Sequence, residues 1–468
     1  MTLAWFSPWP PQRSGVAGRS AELVGRLGAR GHAIDVFVDA SRRRPEAASP
    51  DSTASGSVRV HSAHDFLWRH GRRPYDLVIY QIGNSHLHRF IWPYLFRFPG
   101  LAVLHDARLH HARAEALLSA GRADDYRAEF AWSHPDAPSG AAELAVQRVE
   151  SAMYYHWPML RGVVESARLV GAHSRGVTAL IARQWPDRPV EHIALGEGPD
   201  QPDVAAARRQ FRAAHGLAED AVVFGVHGGL TAEKRISDIL HAFASARASI
   251  PRARLLLVGH ADPWLDLDDQ ISQLGLISSV CRVPTADDAA FDQAIAASDV
   301  TLNLRWPTAL ETSGPWVRSL ALSRPTVVVD VAHHAHVPAL DPRTWRRHEP
   351  SADLEPGADA RAVTVALDVR DLNHSLWLTM KRLGTDAGLR DQLGAQARAW
   401  WEREHTVERM VLDYERAMAR ALSEPLPSPS WPAHLRPDPF AHARRLININ
   451  ATAWDDPAIR ARLAFGAT

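Results

Sequence analysis

Two segments in the second half of the chain combine glycine, hydroxyl and basic side chains in a way that suits a phosphate ligand. In the first, an apolar run at residues 222–226 leads to Gly229, and Lys234 and Arg235 follow at the start of a helical pattern. Backbone N–H groups, a helix dipole and a cation would then converge on one anion. The plainer interpretation of the same spacing is a solvated, charged helix face.

The second segment follows an apolar run at residues 300–304. It opens on a basic side chain and continues into a polar loop, whose residues of interest are Arg305, Glu311, Thr312, Ser313 and Gly314. Pro315 comes next and suits the first turn of a helix. Such a loop can bind phosphates with its N–H groups while Arg305 pairs with them, which makes this the most informative stretch of the chain.

In the first half, an imidazole and a carboxylate follow the apolar run at residues 101–104. They belong to His105 and Asp106. In an open parallel sheet the carboxyl ends of the strands line the ligand crevice, so both side chains are well placed to bind polar groups of a substrate. Capping of the next helix is the plainer alternative. A zinc site that adds His110 and His111 is disfavoured, because the spacing matches no compact zinc module.

A glycine turn follows the first apolar run. Gly15 lies between residues 3–6 and an amphipathic helical pattern, where a ligand could approach the backbone and the N–H groups of the helix start. The sequence there is not G-x-G-x-x-G, so a dinucleotide site is disfavoured. A simple turn glycine is the main alternative.

Short apolar runs alternate with helical patterns, which indicates parallel α/β layers. The runs lie at 3–6, 33–38, 57–60, 77–80, 101–104, 169–172 and 192–195 in the first half, and at 222–226, 255–258, 300–304 and 326–329 in the second. A polar stretch at 196–219 separates the two sets, so we expect two Rossmann-like domains. A helical pattern spans 386–422, another helix is expected in the last 30 residues, and loops are expected at 41–56 and 425–439.

Composition narrows the classes of function. The chain has 468 residues, with 53 basic and 53 acidic side chains and one cysteine. Zero formal charge gives no general attraction to nucleic acid, and contact with a membrane surface is not indicated. The lone Cys281, a start without a signal pattern and the lack of a membrane-spanning apolar run lead us to expect a cytoplasmic protein with no intrachain disulfide.

The order of these features resembles the family 4 retaining glycosyltransferases of the GT-B fold. The features are the glycine turn, the histidine after a middle strand, and the segments GGLTAEKRI and LNLRWPTALETSGPWVRSLALSRPTVVVD. The resemblance covers nearly the whole chain. It implies an α/β protein with an acceptor-side domain at 1–200, a nucleotide-sugar domain at 201–404, a cleft between them, and helices at 405–468 that return to the first domain.

The resemblance also implies a reaction and a set of residues. A sugar would pass from a nucleotide-diphosphate sugar to the hydroxyl of a glycan, a lipid-linked or a small-molecule acceptor, with retention and with neither cofactor nor metal. Catalytic roles fall to His105, Lys234 and Glu311, and Asp106 lies on the acceptor side. Donor binding falls to Gly15, Gly229, Lys234, Arg235, Arg305, Thr312, Ser313 and Gly314.

The chain departs from the family pattern at two places. Gly229 stands where the family usually has an arginine, so one diphosphate cation is missing or comes from Arg235 or Arg305. The E-x7-E signature aligns with Leu310 and Arg318, neither of them acidic, and Glu311 lies one position later. These departures support an alternative, a degenerate GT-B module that binds a nucleotide or glycan or serves as a partner subunit. A sugar-nucleotide epimerase or a phosphorylase is a third interpretation.

A run of histidines follows the apolar run at 326–329. His333, His334 and His336 could form a metal patch, but a loop between domains is the favoured interpretation. Among the sixteen tryptophans, Trp306 beside Arg305 is the one candidate for stacking on a sugar ring.

Overall fold

The computed structural model of the chain describes residues 1–12, 14–39, 58–149, 152–284, 288–348 and 361–436. The loop expected at 41–56 and the helix expected in the last 30 residues lie outside these residues. The described residues form two α/β units, each built on a largely parallel sheet, and this confirms the predicted fold class. No helix in this part of the chain combines the length and the apolar composition needed to cross a membrane.

The first sheet has seven parallel strands. They are β1 Thr2–Phe6, β2 Ala33–Val38, β3 Val58–Ser62, β4 Leu77–Ile82, β5 Leu101–Leu104, β6 Leu169–Ala172 and β7 Val190–His192. The spatial order is β3-β2-β1-β4-β5-β6-β7. Central strands such as β4 are buried along their whole length, because helices cover both faces of the sheet.

Helices connect these strands. They are α1 Gly15–Ala29, α2 Phe66–Arg72, α3 Trp92–Leu95, α4 His110–Leu118, α5 Ala123–Ser133, α6 Ala141–Val146, α7 Met153–His156, α8 Arg161–Ser166 and α9 Arg175–Gln184. Helix α1 begins directly after the loop that follows β1. Its N-cap is Ser14, whose hydroxyl accepts a hydrogen bond from the Ala17 amide at 3.1 Å, so Gly15 is the first residue of the helix.

The second sheet has eight strands. They are β8 Val223–His227, β9 Arg254–Val258, β10 Val280–Val283, β11 Val300–Leu302, β12 Thr326–Val329, β13 Ala339–Leu340, β14 Arg347–His348 and β15 Thr364–Leu367. Their order is β10-β9-β8-β11-β12-β15-β13-β14, and only β14 pairs antiparallel. The helices here are α10 Val204–Ala214, α11 Ile236–Ala246, α12 Leu267–Gln273, α13 Asp288–Ala297, α14 Gly314–Ala321, α15 Leu372–Thr385 and α16 Ala387–Glu404.

Both sheets share one topological feature that places a ligand site. In each, the chain builds strands outward on one side of the first strand and then returns to its other side, so the order reverses between β1 and β4 and between β8 and β11. Ligands of open α/β sheets bind at the carboxyl ends of the strands on either side of such a reversal. A ligand site is therefore expected in the loops that follow β1, β4, β8 and β11.

The last described helix, α17 Val407–Ser423, leaves the second unit and packs on the first sheet. Its Met410, Tyr414 and Met418 are buried with residues of β1, and the Tyr414 ring stacks on Trp5 with centroids 5.6 Å apart. The predicted helix that crosses back to the N-terminal domain is thereby confirmed. The helical pattern at 386–422 forms two helices rather than one, with a break at His405 and Thr406.

One predicted strand is displaced in the structure. The apolar run at 192–195 was expected to be a strand, but β7 ends at His192. Residues 193–195 are buried without forming a strand, and the Ala194 amide donates to the Asp413 carboxylate of α17 at 2.9 Å. Ile193 packs in one core cluster with α17, and Leu195 packs in another with α14 and α16, which explains why the run is apolar.

Candidate functional site

A cavity lies at the carboxyl ends of β8 and β11, where the order of the second sheet reverses. Its lining residues are His227, Lys234, Leu302, Asn303, Leu304, Arg305, Glu311, Ser313, His333 and His334. Four of the residues that the sequence suggested for donor binding or catalysis are therefore together, namely Lys234, Arg305, Glu311 and Ser313. The cavity offers two cations, one carboxylate and the start of a helix to a ligand.

Lys234 lies in a short 3-10 turn that follows β8, and its ammonium is buried. The side chain is 8% exposed, and its Nζ donates a hydrogen bond to the His227 carbonyl. Burial lowers the pKa of Lys234 to about 7, with a further contribution from the positive charge of Arg305 and an opposing one from Glu311. A lysine with this pKa gains charge readily when an anion arrives beside it.

The loop after β11 holds Glu311 at the cavity wall. Arg305 Nε lies 2.6 Å from Glu311 Oε1, and the Thr308 hydroxyl donates to Glu311 Oε2 at 2.9 Å. Leu310 precedes the glutamate with a φ of +62°, a conformation that a branched side chain rarely adopts. Both carboxylate oxygens are thus fixed by neighbours in the same loop, and the strained backbone at Leu310 sets the direction of the side chain.

The start of α14 joins this loop to the first unit. The Ser313 side chain caps the helix by accepting from the Trp316 amide at 3.5 Å, and Pro315 occupies the first turn as its position in the sequence predicts. The Thr312 hydroxyl donates to the His173 carbonyl at 3.0 Å, which links the loop to the residue after β6. The N-terminus of α14 therefore lies at the boundary of the two units.

In the first unit, His105 follows β5 and is neutral. Its Nε2 lies 2.7 Å from Gln81 Oε1, which also accepts from the Tyr414 hydroxyl at 3.2 Å. Since an amide oxygen only accepts, Nε2 carries the proton and Nδ1 is the free acceptor. Burial lowers the pKa of His105 well below its usual range, and the charges of His173 and Arg19 add to that effect.

Asp106, the next residue of the first unit, is influenced by the charges of Glu311 and Arg305 in the second unit. Its Oδ2 accepts from the Asn84 amide at 2.6 Å. Burial and the negative charge of Glu311 raise the pKa of Asp106 to about 7, while the Asn84 hydrogen bond and Arg305 oppose the change. Asp106 and Glu311 belong to different units, and each carboxyl group lies within the electrostatic influence of the other.

Backbone contacts hold this pair of loops together. The amides of Ala107 and Arg108 both donate to the Ala309 carbonyl, at 2.9 and 3.1 Å. The Arg108 guanidinium donates to the Thr308 carbonyl at 2.7 Å. The loop after β5 is therefore docked on the loop that carries Glu311.

Three predicted donor-binding residues lie elsewhere. Arg235 is half-buried and pairs with Asp238 at 2.8 Å, one turn along α11, so the structure does not bring it to the cavity. Gly229 is exposed in the loop after β8, and Gly15 is exposed at the start of α1. Gly314 lies beside the cavity residue Ser313, at the start of α14.

Of the other predicted histidines, His333 and His334 line the cavity, whereas His110 and His111 do not. His110 bonds the Tyr126 hydroxyl at 2.7 Å, and the His111 ring stacks on Tyr154. His333 and His334 are buried where the Ser174 hydroxyl of the first unit donates to the His333 carbonyl at 2.7 Å. This segment is a loop between the units, as favoured from the sequence. In the part of the chain that the structure describes, no group of three or more His, Cys, Asp or Glu could hold a metal ion.

Sequence reasoning missed an ion cluster next to the cavity. Glu197 lies where the chain passes from the first unit to the second, and its two carboxylate oxygens pair with Arg19 of α1 at 2.6 Å and Arg318 of α14 at 2.9 Å. Burial opposes the ionised form, but the two guanidinium groups lower the pKa of Glu197. Arg318, which aligns with an acidic position of the family signature, also pairs with Asp292 at 3.1 Å.

No protein-family model and no curated protein matches the sequence, but solved structures share the fold. The sucrose-phosphate synthase of Thermosynechococcus elongatus has a TM-score of 0.60 at 15% identity, over 90% of this chain and 98% of that one. The catalytic domain of Arabidopsis thaliana starch synthase IV, bound to ADP and acarbose, has a TM-score of 0.61 at 12% identity, over 90% and 99%. Anabaena HepE in complex with UDP and glucose has a TM-score of 0.56 at 15% identity, over 90% and 99%.

These similarities establish the architecture. The chain has the GT-B fold, with two Rossmann-like units and a C-terminal helix that returns to the first unit. At such identities the similarity extends to the fold alone.

Proposed function

We propose that this protein is a glycosyltransferase that moves a sugar from a nucleotide-diphosphate sugar to an acceptor hydroxyl, with retention of the anomeric configuration. One observation carries the proposal. Buried Lys234, Arg305 and Ser313 at the capped start of α14 line a single cavity, and the loop that carries His105 and Asp106 is docked on the loop that carries Glu311. A dianionic diphosphate suits the first group of donors, and a polyhydroxylated sugar suits the second.

The proposed chemistry depends on stabilising the leaving group. The bond between the anomeric carbon and the diphosphate oxygen breaks, and negative charge grows on the diphosphate. Lys234, Arg305 and the N–H groups at the start of α14 are fixed in place before the reaction, so they favour the transition state more than the ground state. The acceptor oxygen bonds to the same face of the anomeric carbon, and its proton passes to a phosphate oxygen of the leaving group.

His105 and Asp106 have positioning roles in this scheme. Because His105 is neutral and its Nε2–H is engaged by Gln81, Nδ1 is available to accept a hydrogen bond from a sugar hydroxyl. Asp106 lies beside it on the acceptor side, and its carboxyl can bind a hydroxyl of the acceptor. Glu311, held by Arg305 and Thr308, faces the sugar from the other unit.

The test measures release of nucleoside diphosphate from a panel of UDP-, ADP- and GDP-sugars with simple glycan and lipid-linked acceptors. UDP and ADP head the panel because structures of similar fold bind them. We expect one donor to release its diphosphate, and Lys234→Ala to lower kcat/KM by about 100- to 1,000-fold, the usual effect of removing one fixed donor to a developing oxyanion. Lys381, the other lysine of the chain, lies exposed on α15, so Lys381→Ala is the matched control.

Two outcomes would contradict the proposal. Full turnover in Lys234→Ala would mean that the diphosphate does not bind in this cavity. Clear binding of a nucleotide with no release from any donor would favour the degenerate binding module, which the departures from the family signature suggest as the alternative.

A further inference from the structure

The guanidinium of Arg19 lies between the two glycine turns that the resemblance assigns to the donor. A Cβ added to Gly314, at the start of α14, would lie 3.2 Å from Arg19 Nη2. A Cβ added to Gly15, at the start of α1, would lie 3.8 Å from the same nitrogen. One cation of the first unit therefore reaches the N-termini of two helices, one from each unit, at the boundary where the site lies.

Arg19 also has hydrogen-bonding capacity in reserve. Its side chain is 11% exposed and pairs with Glu197, whose carboxylate is shared with Arg318. Among the described residues, the buried Nε of Arg19 has no hydrogen-bond partner. A buried N–H donor without an acceptor is costly, so this group is suited to a ligand that supplies one.

The positive charge of Arg19 influences two histidines of the first unit. After burial, the charge of Arg19 is the largest contribution that lowers the pKa of His173 to about 3, and Arg19 also lowers the pKa of His105. The His173 ring lies 4.9 Å from that of His105, which follows β5. Arg19 is thus close to the residues that face the cleft as well as to both helix starts.

Gly229 provides no charge and Arg235 pairs with Asp238, so Lys234 and Arg305 are the cations that line the described cavity, and Arg305 is itself paired with Glu311. Arg19 is also paired, but it shares its partner Glu197 with Arg318. We propose that Arg19 supplies the missing cation, binding the donor diphosphate from the N-terminal side of the cleft while Lys234 binds it from the other. This assignment rests on the proposed function, and it makes the first unit a direct participant in binding the donor phosphates.

The experiment compares nucleoside diphosphates with monophosphates by calorimetry. UDP and UMP, ADP and AMP, and GDP and GMP are titrated into the wild type and into Arg19→Gln, Arg19→Lys, Arg26→Gln and Arg318→Gln. The readout is the ratio of Kd values for the monophosphate and the diphosphate of one base. A merely structural role for Arg19 would weaken both nucleotides equally and leave this ratio unchanged.

We expect Arg19→Gln to weaken the diphosphate by roughly 10- to 100-fold, the effect of losing a hydrogen bond to a charged group, with little change for the monophosphate. Arg19→Lys should recover part of the loss. Arg26→Gln removes an exposed arginine from the same helix, and Arg318→Gln removes the other partner of Glu197, so neither should change the ratio.

The two proposals fail in different ways. If the wild type binds a diphosphate and Arg19→Gln keeps the same ratio, the assignment of Arg19 is wrong and the glycosyltransferase proposal stands. If the wild type binds none of the three diphosphates, the proposed donor site is wrong, and the role of Arg19 fails with it.

Discussion

The ammonium of Lys234 makes donor binding dependent on pH. With a pKa of about 7, set first by burial and then by Arg305, the group is largely neutral in the free protein above neutral pH. A bound diphosphate places negative charge beside it and favours the protonated form. At a pH between about 7 and the pKa that Lys234 has in the complex, the protein must therefore take up one proton when the diphosphate binds.

The expected result is a Kd for the diphosphate that rises with pH above 7, by up to about tenfold per unit, because the free protein must first be protonated. Calorimetry in buffers of different ionisation enthalpy would count the proton directly. Lys234→Met should bind more weakly, and its residual affinity should lose this dependence on pH. A wild-type Kd that stays constant from pH 7 to 9 would contradict the argument.

Part of the candidate site could be predicted residue by residue from the sequence. Lys234, Arg305, Glu311 and Ser313 could be predicted together because each follows the end of β8 or β11, so local order alone places them at one edge of a sheet. Arg19, Glu197 and Arg318 could not, since they belong to three elements separated by more than 100 residues. Their meeting depends on how the two units pack.

Helix α17 stabilises the first unit, although the two are distant in sequence. Its apolar face covers β1 and its neighbours, and Met418 is fully buried there, whereas Leu412 on the same helix is 44% exposed. Met418→Ala should therefore reduce stability by about 2–5 kcal/mol, from lost burial and the cavity left behind. Leu412→Ala, the matched control, should stay within about 0.5 kcal/mol.

Thermal unfolding monitored by tryptophan fluorescence can check this pair, because Trp5 stacks on Tyr414 at the same interface. We expect a lower Tm for Met418→Ala and a Tm near the wild type for Leu412→Ala. Equal Tm values for the two variants would mean that α17 does not contribute to the core of the first unit.

Four strands of the second sheet were not predicted from the sequence, namely β10, β13, β14 and β15, and three of them have a clear physical reason. Strand β10 lies at the edge of its sheet and only Val283 is fully buried, so it lacks an apolar run. Strands β13 and β14 have two residues each, too few for a periodic signal. At 192–195 the sequence predicted a strand that does not extend past His192, because apolar residues packed against helices resemble a buried strand. A hydrophobic pattern indicates directly which residues are buried, and it indicates secondary structure only indirectly.

In the molecule as a whole, many of the 25 histidines are buried and neutral. Burial is the first cause in each case, and it lowers the pKa of His88, His134, His192, His334 and His405 to about 4. The unfolded chain binds protons at these positions below about pH 6.5, and the folded protein does not until about pH 4. Their contribution to stability is therefore intact above pH 6.5 and is lost as the pH falls toward 4.

Each such histidine should cost about 1.4 kcal/mol of stability per pH unit in this window, so we expect the Tm to fall steeply between pH 6.5 and pH 4.5. His405→Gln removes one buried imidazole, whose Nδ1 donates to the Leu195 carbonyl at 3.0 Å, and should lower the Tm at pH 7.5 while making its fall with pH shallower. His64 is exposed, so His64→Gln should keep the wild-type slope. A wild-type Tm that is the same at pH 7.5 and pH 5 would show that the buried histidines are protonated without cost, against the burial that the fold imposes on them.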